Sequence, residues 1–278
     1  MKKFLMLMTL FYISLFANCE DMYYQKYKPS VLQDRDTKEI CYTEFDIAYN
    51  TYNSNRPLGA IFSAEHLTDY QLKVANALKR VDSFHDEPSL QGSQKLFVDD
   101  YLHSNYDKGH LAPNKDFSTK ETQYECFSMA NMIPQTQENN RGIWSNIEGF
   151  TRHLVFTYKE GYVFTGPLYN ETSKTFAHNK TKIPSHVWKA VYLPSINSGF
   201  VIITTNDKNP KYETKSIQEF EKQIGYKLFK NSSDFKLLDM KDFRFDQNSK
   251  SYSSKEKDNE EVSTELKKET YKLLKKMF

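Results

Sequence analysis

Apolar and polar positions change rhythm several times along this chain, and the changes mark its elements. Residues 41–48 alternate apolar with polar, and 59–64 (GAIFSA) are largely apolar. Both predict strands, joined as a hairpin across the turn-rich 50–57. Residues 68–79 carry Leu72, Val74, Ala75 and Leu78 on one side behind Thr68, which predicts a capped helix. Segment 82–105 is long and polar and reads as a loop. Two more helices are predicted at 122–132 and 139–158. In the second, Ile143, Ile147, Phe150, Thr151 and Leu154 recur at three- and four-residue steps, a stripe that should face the core. The runs 161–165, 187–193 and 199–205 predict three further strands, and 216–225 a short helix closed by Gly225. Strands and helices interleave without a regular strand–helix–strand rhythm or an internal repeat, so an α+β fold is expected.

Both ends break this pattern. Lys2 and Lys3 precede an apolar run over 4–17, shorter than the roughly 20 residues a spanning helix needs. Polar sequence follows. That order predicts a secretory signal peptide over 1–19, cut between Ala17 and Glu20, with an uncleaved anchor as the alternative. A lipid anchor on Cys19 fits poorly, because Asn18 is larger than the small residue expected before it. An irregular polar leader over 20–37 then precedes a domain over 38–245. Residues 246–264 are rich in Ser, Asn, Lys and Glu, a composition that cannot build a core. The last stretch, 265–278, is a basic, weakly amphipathic helix candidate, read as a solvated tail in preference to a nucleic-acid or membrane contact. The chain is thus expected to be exported, to the periplasm or the medium. Export would allow Cys41 and Cys126 to be oxidised together; two buried free thiols are the alternative.

Composition narrows the class. The 278 residues hold 38 Lys and Arg against 36 Asp and Glu, a net charge of +2. Removing 1–19 takes away Lys2 and Lys3 and no acid, so any attraction for an anionic partner must come from local clustering. A hydrophobic share of 38% with 27% charged residues excludes a polytopic membrane protein and a wholly disordered chain. Three Cys are too few for a disulfide-built scaffold.

Two segments carry the chemistry: YDKGHLAPNKDF at 106–117 and NMIPQTQENNRGIWSNIEGFTR at 131–152. His110 follows a glycine in a turn-rich setting; alone, such a histidine is usually structural. In the second segment Asn140, Trp144, Glu148 and Arg152 recur every four residues. On one continuous helix they would form a ridge, with Asn140 in the first turn, where the positive end of the helix favours anions.

In these two segments the chain resembles the DNA/RNA non-specific endonucleases, the ββα-metal (His-Me finger) group that includes endonuclease G. The resemblance rests on Asp107, Gly109, His110, Ala112 and Pro113, then Asn131, Pro134, Gln135, Asn140, Trp144 and Glu148, in register. NRPLGAIFSAEHLT, YVFTGPLY and IPSHVWKAVYL resemble the family's flanking strands, and the likeness runs over about 40–240. The departure is Lys108, where the family usually has Arg; a lysine keeps the charge but cannot grip phosphate at two points.

The resemblance implies a mixed, mainly antiparallel sheet with helices and a ββα-metal finger. It implies hydrolysis of DNA and RNA with little sequence preference, supported by Mg²⁺, with Mn²⁺ as the alternative ion. A neutral imidazole suits deprotonation of water, so His110 is assigned as general base. Asn140 is assigned as the direct metal ligand, with Glu148 holding metal-bound waters. Arg80, in ALKRVDSFHDE, would neutralise charge on the transition-state phosphate, its alternative being a helix-terminal surface charge. Asp107, Lys108, Asn131, Gln135 and Arg152 would orient the site or the substrate, and Trp144 reads as core. An inhibitor protein or a second copy is left open as partner. The rival is a degenerate nuclease domain that only binds nucleic acid or a protein, with Lys108 in its favour. A zinc hydrolase is disfavoured: there is no His-Glu-x-x-His and no paired Cys spacing, and His103, His178 and His186 stand isolated.

Overall fold

The protein is described here by a computed structural model covering residues 18–52 and 56–238. The apolar start of the signal segment and the charged tail with its terminal helix candidate lie outside these residues. An eight-stranded sheet runs through the molecule. Its strands are β1 (Thr37–Cys41), β2 (Asp46–Asn50), β3 (Gly59–Thr68), β6 (Glu160–Leu168), β9 (His186–Leu193), β10 (Ser198–Thr205) and β11 (Tyr212–Lys215), in that order, with β12 (Lys236–Leu237) beside β10. Every pairing is antiparallel except β10 with β12. A separate ribbon pairs β4 (Asp107–His110) with β5 (Met132–Gln135), and a minor one pairs β7 (Thr175–Phe176) with β8 (Thr181–Lys182). The helices are α1 (Asp69–Asn76), α2 (Lys120–Cys126), α3 (Ser145–Tyr158) and α4 (Ile217–Ile224). This is the expected α+β class, a mixed and mainly antiparallel sheet with few helices.

Both faces of the sheet are covered. On one face Leu67, Val163 and Val191 pack with Leu72 of α1 and Ile147, Leu154 and Val155 of α3. On the other, Phe62, Phe164, Trp188 and Tyr192 pack with Ile217 and Phe220 of α4. Strands buried on both sides read as near-continuous apolar runs, which is why β9 and β10 stood out in the sequence. The capping signals are realised: the Thr68 hydroxyl accepts from the Gln71 amide, and Gly225 closes α4 at φ 82°. A left-handed residue after a helix is cheap only for glycine.

Four expectations change. The run 41–48 is not one strand: residues 42–45 turn the chain between β1 and β2, with the Tyr42 amide donating to the Phe45 carbonyl. Alternation alone cannot see such a reversal, because Tyr42 and Phe45 stay apolar and stack on each other across it. The stretch 122–132 is only partly helical: α2 ends at Cys126, and a 3-10 turn (Met129–Asn131) leads into β5. Segment 18–36 is not loose. Its 3-10 turns seat Tyr23 and Val31 in the core beneath α4's face of the sheet, with the Tyr23 hydroxyl donating to Asp46 at 2.5 Å.

The fourth change is the disulfide. Cys41 pairs with Cys19, at a Cα–Cα distance of 5.7 Å, and not with Cys126. Cys126 closes α2 inside the core, where its thiol donates to the Gln123 carbonyl and burial pushes its pKa up. It lies on another element from the edge strand that carries Cys41. Titration of unreduced protein should therefore find no reactive thiol until denaturant exposes Cys126, and then one. Opening the 22-residue loop by Cys41→Ser should cost about 2–4 kcal/mol, read from a denaturant melt.

Candidate active site

The site is built where the β4–β5 ribbon and the start of α3 meet the segment after α1. Register pairs Asp107 with Gln135, Lys108 with Pro134, Gly109 with Ile133 and His110 with Met132. Alternation along β4 sends Lys108 and His110 to one face and Asp107 to the other. Gly109 lies against Gln135: a Cβ there would stand 2.1 Å from Gln135 Oε1 and 2.7 Å from its Cβ. The glycine of the DKGH motif is thus set by the close approach of β5.

His110 is 9% exposed and packs against Phe127, at 4.9 Å between ring centroids, and Phe84, at 5.7 Å. Phe84 is held in place because His85 bridges to the backbone on both sides of Ser128. The imidazole Nε2 has no hydrogen-bond partner. Burial, with the Arg80 guanidinium adding to it, pushes the His110 pKa down to about 3. The ring is therefore neutral throughout the neutral range. Arg80 lies beyond the end of α1, so it is not a helix-terminal charge; its guanidinium sits 5.1 Å from the Phe127 ring centre and its Nε donates to Asp82 at 2.6 Å. Lys108 places its ammonium 5.1 Å from the Phe84 ring and 5.5 Å from that of Tyr101. Cation–π attraction holds it there, where an arginine would have supplied a fork.

On the other side of β4, Asp107 accepts from Asn140 Nδ2 at 2.8 Å and from both arms of Arg141, at 2.8 and 2.6 Å. The amide nitrogen of Asn140 is thus committed to Asp107, which leaves its carboxamide oxygen as the group it can offer a ligand. Arg141 was missed in the sequence, since reading every fourth residue skips it; its signal was a cation directly after the motif asparagine.

The four-residue ridge is broken. Asn139–Trp144 form a wide π-type turn that leaves helical geometry at Gly142 (φ −105°, ψ −110°), and the α-helix proper starts at Ser145. Asn139 causes this. Its side chain accepts from Gln135 Nε2 at 2.6 Å and donates to Thr204 Oγ1 and the Thr205 carbonyl, pinning the turn to β10. Trp144 is buried in the core as expected, and Asn140 sits in the π turn instead of the first turn of an α-helix. Glu148 and Arg152 stay one turn apart on α3. Arg152 is ion-paired to buried Asp116 at 2.9 Å. Burial raises the Glu148 carboxyl to about 7, with Arg152, Lys189 and Arg80 pulling it back down.

The Arg80 charge lowers the pKa of both His110 and Glu148. Asn131 and Gln135 are both buried side chains. Asn131 is fully buried, accepting from the Ala112 amide and donating to the Ala112 and Cys126 carbonyls. It locks the chain that leaves His110. Gln135 is fully buried beneath Gly109 and bonds Asn139. A cavity of about 500 Å³ opens beside Phe84, but Asp86, Asp99 and Asp100 line it, so it offers phosphate no attraction.

The donor types that the Asn140 carboxamide and the Glu148 carboxylate offer are oxygens, the kind a hard divalent cation takes. Elsewhere Cys19, Glu39 and Asp46 stand close together, but the Cys19 sulfur is spent in the disulfide.

Residues 25–235 match the family model described as DNA/RNA non-specific endonuclease. A nuclease of Nostoc sp. is 34% identical over 172 residues, covering 56% of this chain and 62% of that protein. Nuclease C1 of Cunninghamella echinulata var. echinulata is 32% identical over 203 residues, covering 66% of this chain and 79% of that protein. The chain thus spans somewhat less than two thirds of the first relative and more of the second. Among solved structures, a chain of the EndoG/EndoGI complex superposes with a TM-score of 0.62 at 22% identity, covering 72% of this chain and 89% of that one, which is a likeness of fold. A family match over most of the chain places it: this protein belongs to the DNA/RNA non-specific endonuclease family.

Proposed function

We propose that this protein is an exported, divalent-metal-dependent endonuclease that hydrolyses phosphodiester bonds of DNA and RNA with little sequence preference. The observation that carries the reading is His110: a buried imidazole, held neutral, with an unpartnered Nε2 beside an exposed arginine. Nε2 takes the proton of the attacking water. The Arg80 guanidinium balances negative charge as it builds on the phosphate. Asp107 takes up the Asn140 amide nitrogen, which leaves the carboxamide oxygen as a donor for a cation, and Glu148 accepts hydrogen bonds from water. A bound Mg²⁺, or Mn²⁺ in its place, would be held by Asn140 with Glu148 on its waters and would supply charge neutralisation at the phosphate and the leaving oxygen. Contacts to phosphate and sugar carry no base identity, hence the expected lack of sequence preference.

Export is supported by the basic-then-apolar start and by the Cys19–Cys41 disulfide, since such bonds persist in oxidising compartments. For that bond to survive processing, the cut must fall before Cys19, so intact mass should show a mature chain that retains it. The solved EndoG/EndoGI complex is described as a mechanism of EndoG inhibition. An inhibitor protein covering the same site is the partner class we propose by analogy.

The test is a plasmid-nicking and RNA-degradation assay on purified protein. Cleavage of both with Mg²⁺ or Mn²⁺, stopped by EDTA and weakened by rising salt, is expected. The rival, a domain that binds nucleic acid without cutting, is favoured by Lys108 resting between Phe84 and Tyr101. Binding without cleavage under either metal would select it.

A further inference from the structure

Three rings meet at the candidate base. His110, Phe84 and Phe127 touch one another pairwise. His110 stands edge-on to Phe127, at 4.9 Å between centroids and 86° between planes, and Phe84 stands perpendicular to Phe127, also at 4.9 Å. The backbones that carry the two phenyl rings are clamped together. The amide of His85, next to Phe84, donates to the Phe127 carbonyl, and the Met129 amide donates to the His85 carbonyl. Ser128, next to Phe127, donates its hydroxyl to buried Glu87 at 2.6 Å.

Each phenyl ring also carries a cation. The Arg80 guanidinium lies 5.1 Å from the centre of Phe127, and the Lys108 ammonium 5.1 Å from that of Phe84. Arginine and lysine are long side chains with many rotamers, and the Arg80 side chain is 51% exposed. A ring narrows their range by cation–π attraction without taking up their N–H donors, as a carboxylate would. Asp82 engages the Arg80 Nε, one of the five donors of a guanidinium. We propose that Phe84 and Phe127 are positioning residues of the nuclease reaction: each ring that packs on His110 also holds one cation, Lys108 or Arg80, so that both charges meet the phosphate that water attacks. This rests on the reading of His110 as base given under Proposed function. It also gives the lysine of the DKGH motif its requirement, a ring that aims a point charge.

The test is single-turnover cleavage of a defined DNA duplex at saturating protein and Mg²⁺, read in double-mutant cycles. Phe127→Leu and Phe84→Leu remove the ring and keep most of the apolar bulk. Each should slow cleavage by about two- to thirty-fold, the range that one cation–π contact supports. The cycle then asks whether the loss runs through the cation. In an Arg80→Met background Phe127→Leu should cost at least about two-fold less than in the parent, and Phe84→Leu likewise in Lys108→Met. A ring that only fills the core costs the same in both backgrounds. Phe84→Tyr keeps the ring and should restore cleavage to within about two-fold of the parent. Phe127 is fully buried, so if Phe127→Leu does not fold, the half-buried Phe84 decides the case. Additive cycles, or Phe84→Tyr no faster than Phe84→Leu, overturn the inference while His110→Ala stays slow. Parent-like cleavage by His110→Ala, or no cleavage by the parent, overturns the base reading and the inference together.

Discussion

Replacing His110 with alanine should lower cleavage of plasmid DNA by about 10²–10⁴-fold, the range usual for removing a general base. The imidazole accepts no hydrogen bond at Nε2 and packs between Phe84 and Phe127, so its loss removes a proton acceptor and some ring contact, not a structural anchor. Mn²⁺ affinity should be unchanged, since Asn140 and Glu148 remain. A pH signature should accompany the loss. His110 titrates near about 3 in the folded chain, pushed down by burial and by Arg80, and near ~6.5 when unfolded. Between those values the unfolded chain binds the extra proton, so this group's contribution is present above ~6.5 and is lost as pH falls toward the folded value. The alanine variant lacks that slope. Its melting temperature should gain on the parent's between pH 7.5 and pH 5. Near-normal turnover by the variant would reject His110 as base.

Asn140→Ala should be the second large effect, of a different kind. It removes the carboxamide oxygen and takes from Asp107 the donor at 2.8 Å. Asp107 keeps its two bonds from Arg141, so the ribbon should hold its shape. Mn²⁺ affinity should fall by at least the roughly 10–100-fold seen when even outer-shell partners are lost. Turnover should fall with it and recover in part as Mg²⁺ is raised. Added metal should not rescue His110→Ala, and that contrast separates base from ligand. An unchanged magnesium titration in Asn140→Ala would assign the ligand elsewhere.

The two variants also show how far the sequence could be read. His110 and Asn140 stand out in the sequence because each sits in a short motif whose residues are neighbours in the chain. The helix bearing Asn140 was read as regular, because its apolar steps are helical from Ile143 onward. The π turn before them follows from Asn139 bonding β10, a partner some sixty positions away, which no local period reports. Asn131 and Gln135 were placed in the right motif with their contacts open. Both are fully buried, Asn131 on backbone groups of Ala112 and Cys126 and Gln135 on the Asn139 side chain. The cysteine pairing failed for a related reason: sequence shows which thiols exist, and only packing shows which two meet.

What the amino-acid order determined alone was whatever depends on neighbours in the chain: the strands and helices, their caps, the α+β class and the two motifs that mark the family. Those features rest on periodicity and on short-range steric rules. The tertiary structure decided the rest. It brought Arg80 and His110 onto the same Phe127 ring, tied Asn140 and Arg141 to Asp107, and cradled Lys108 on two rings. Each of these joins residues far apart in the chain, and its energy comes from burial and charge, which exist only once the sheet and its helices have closed around the site.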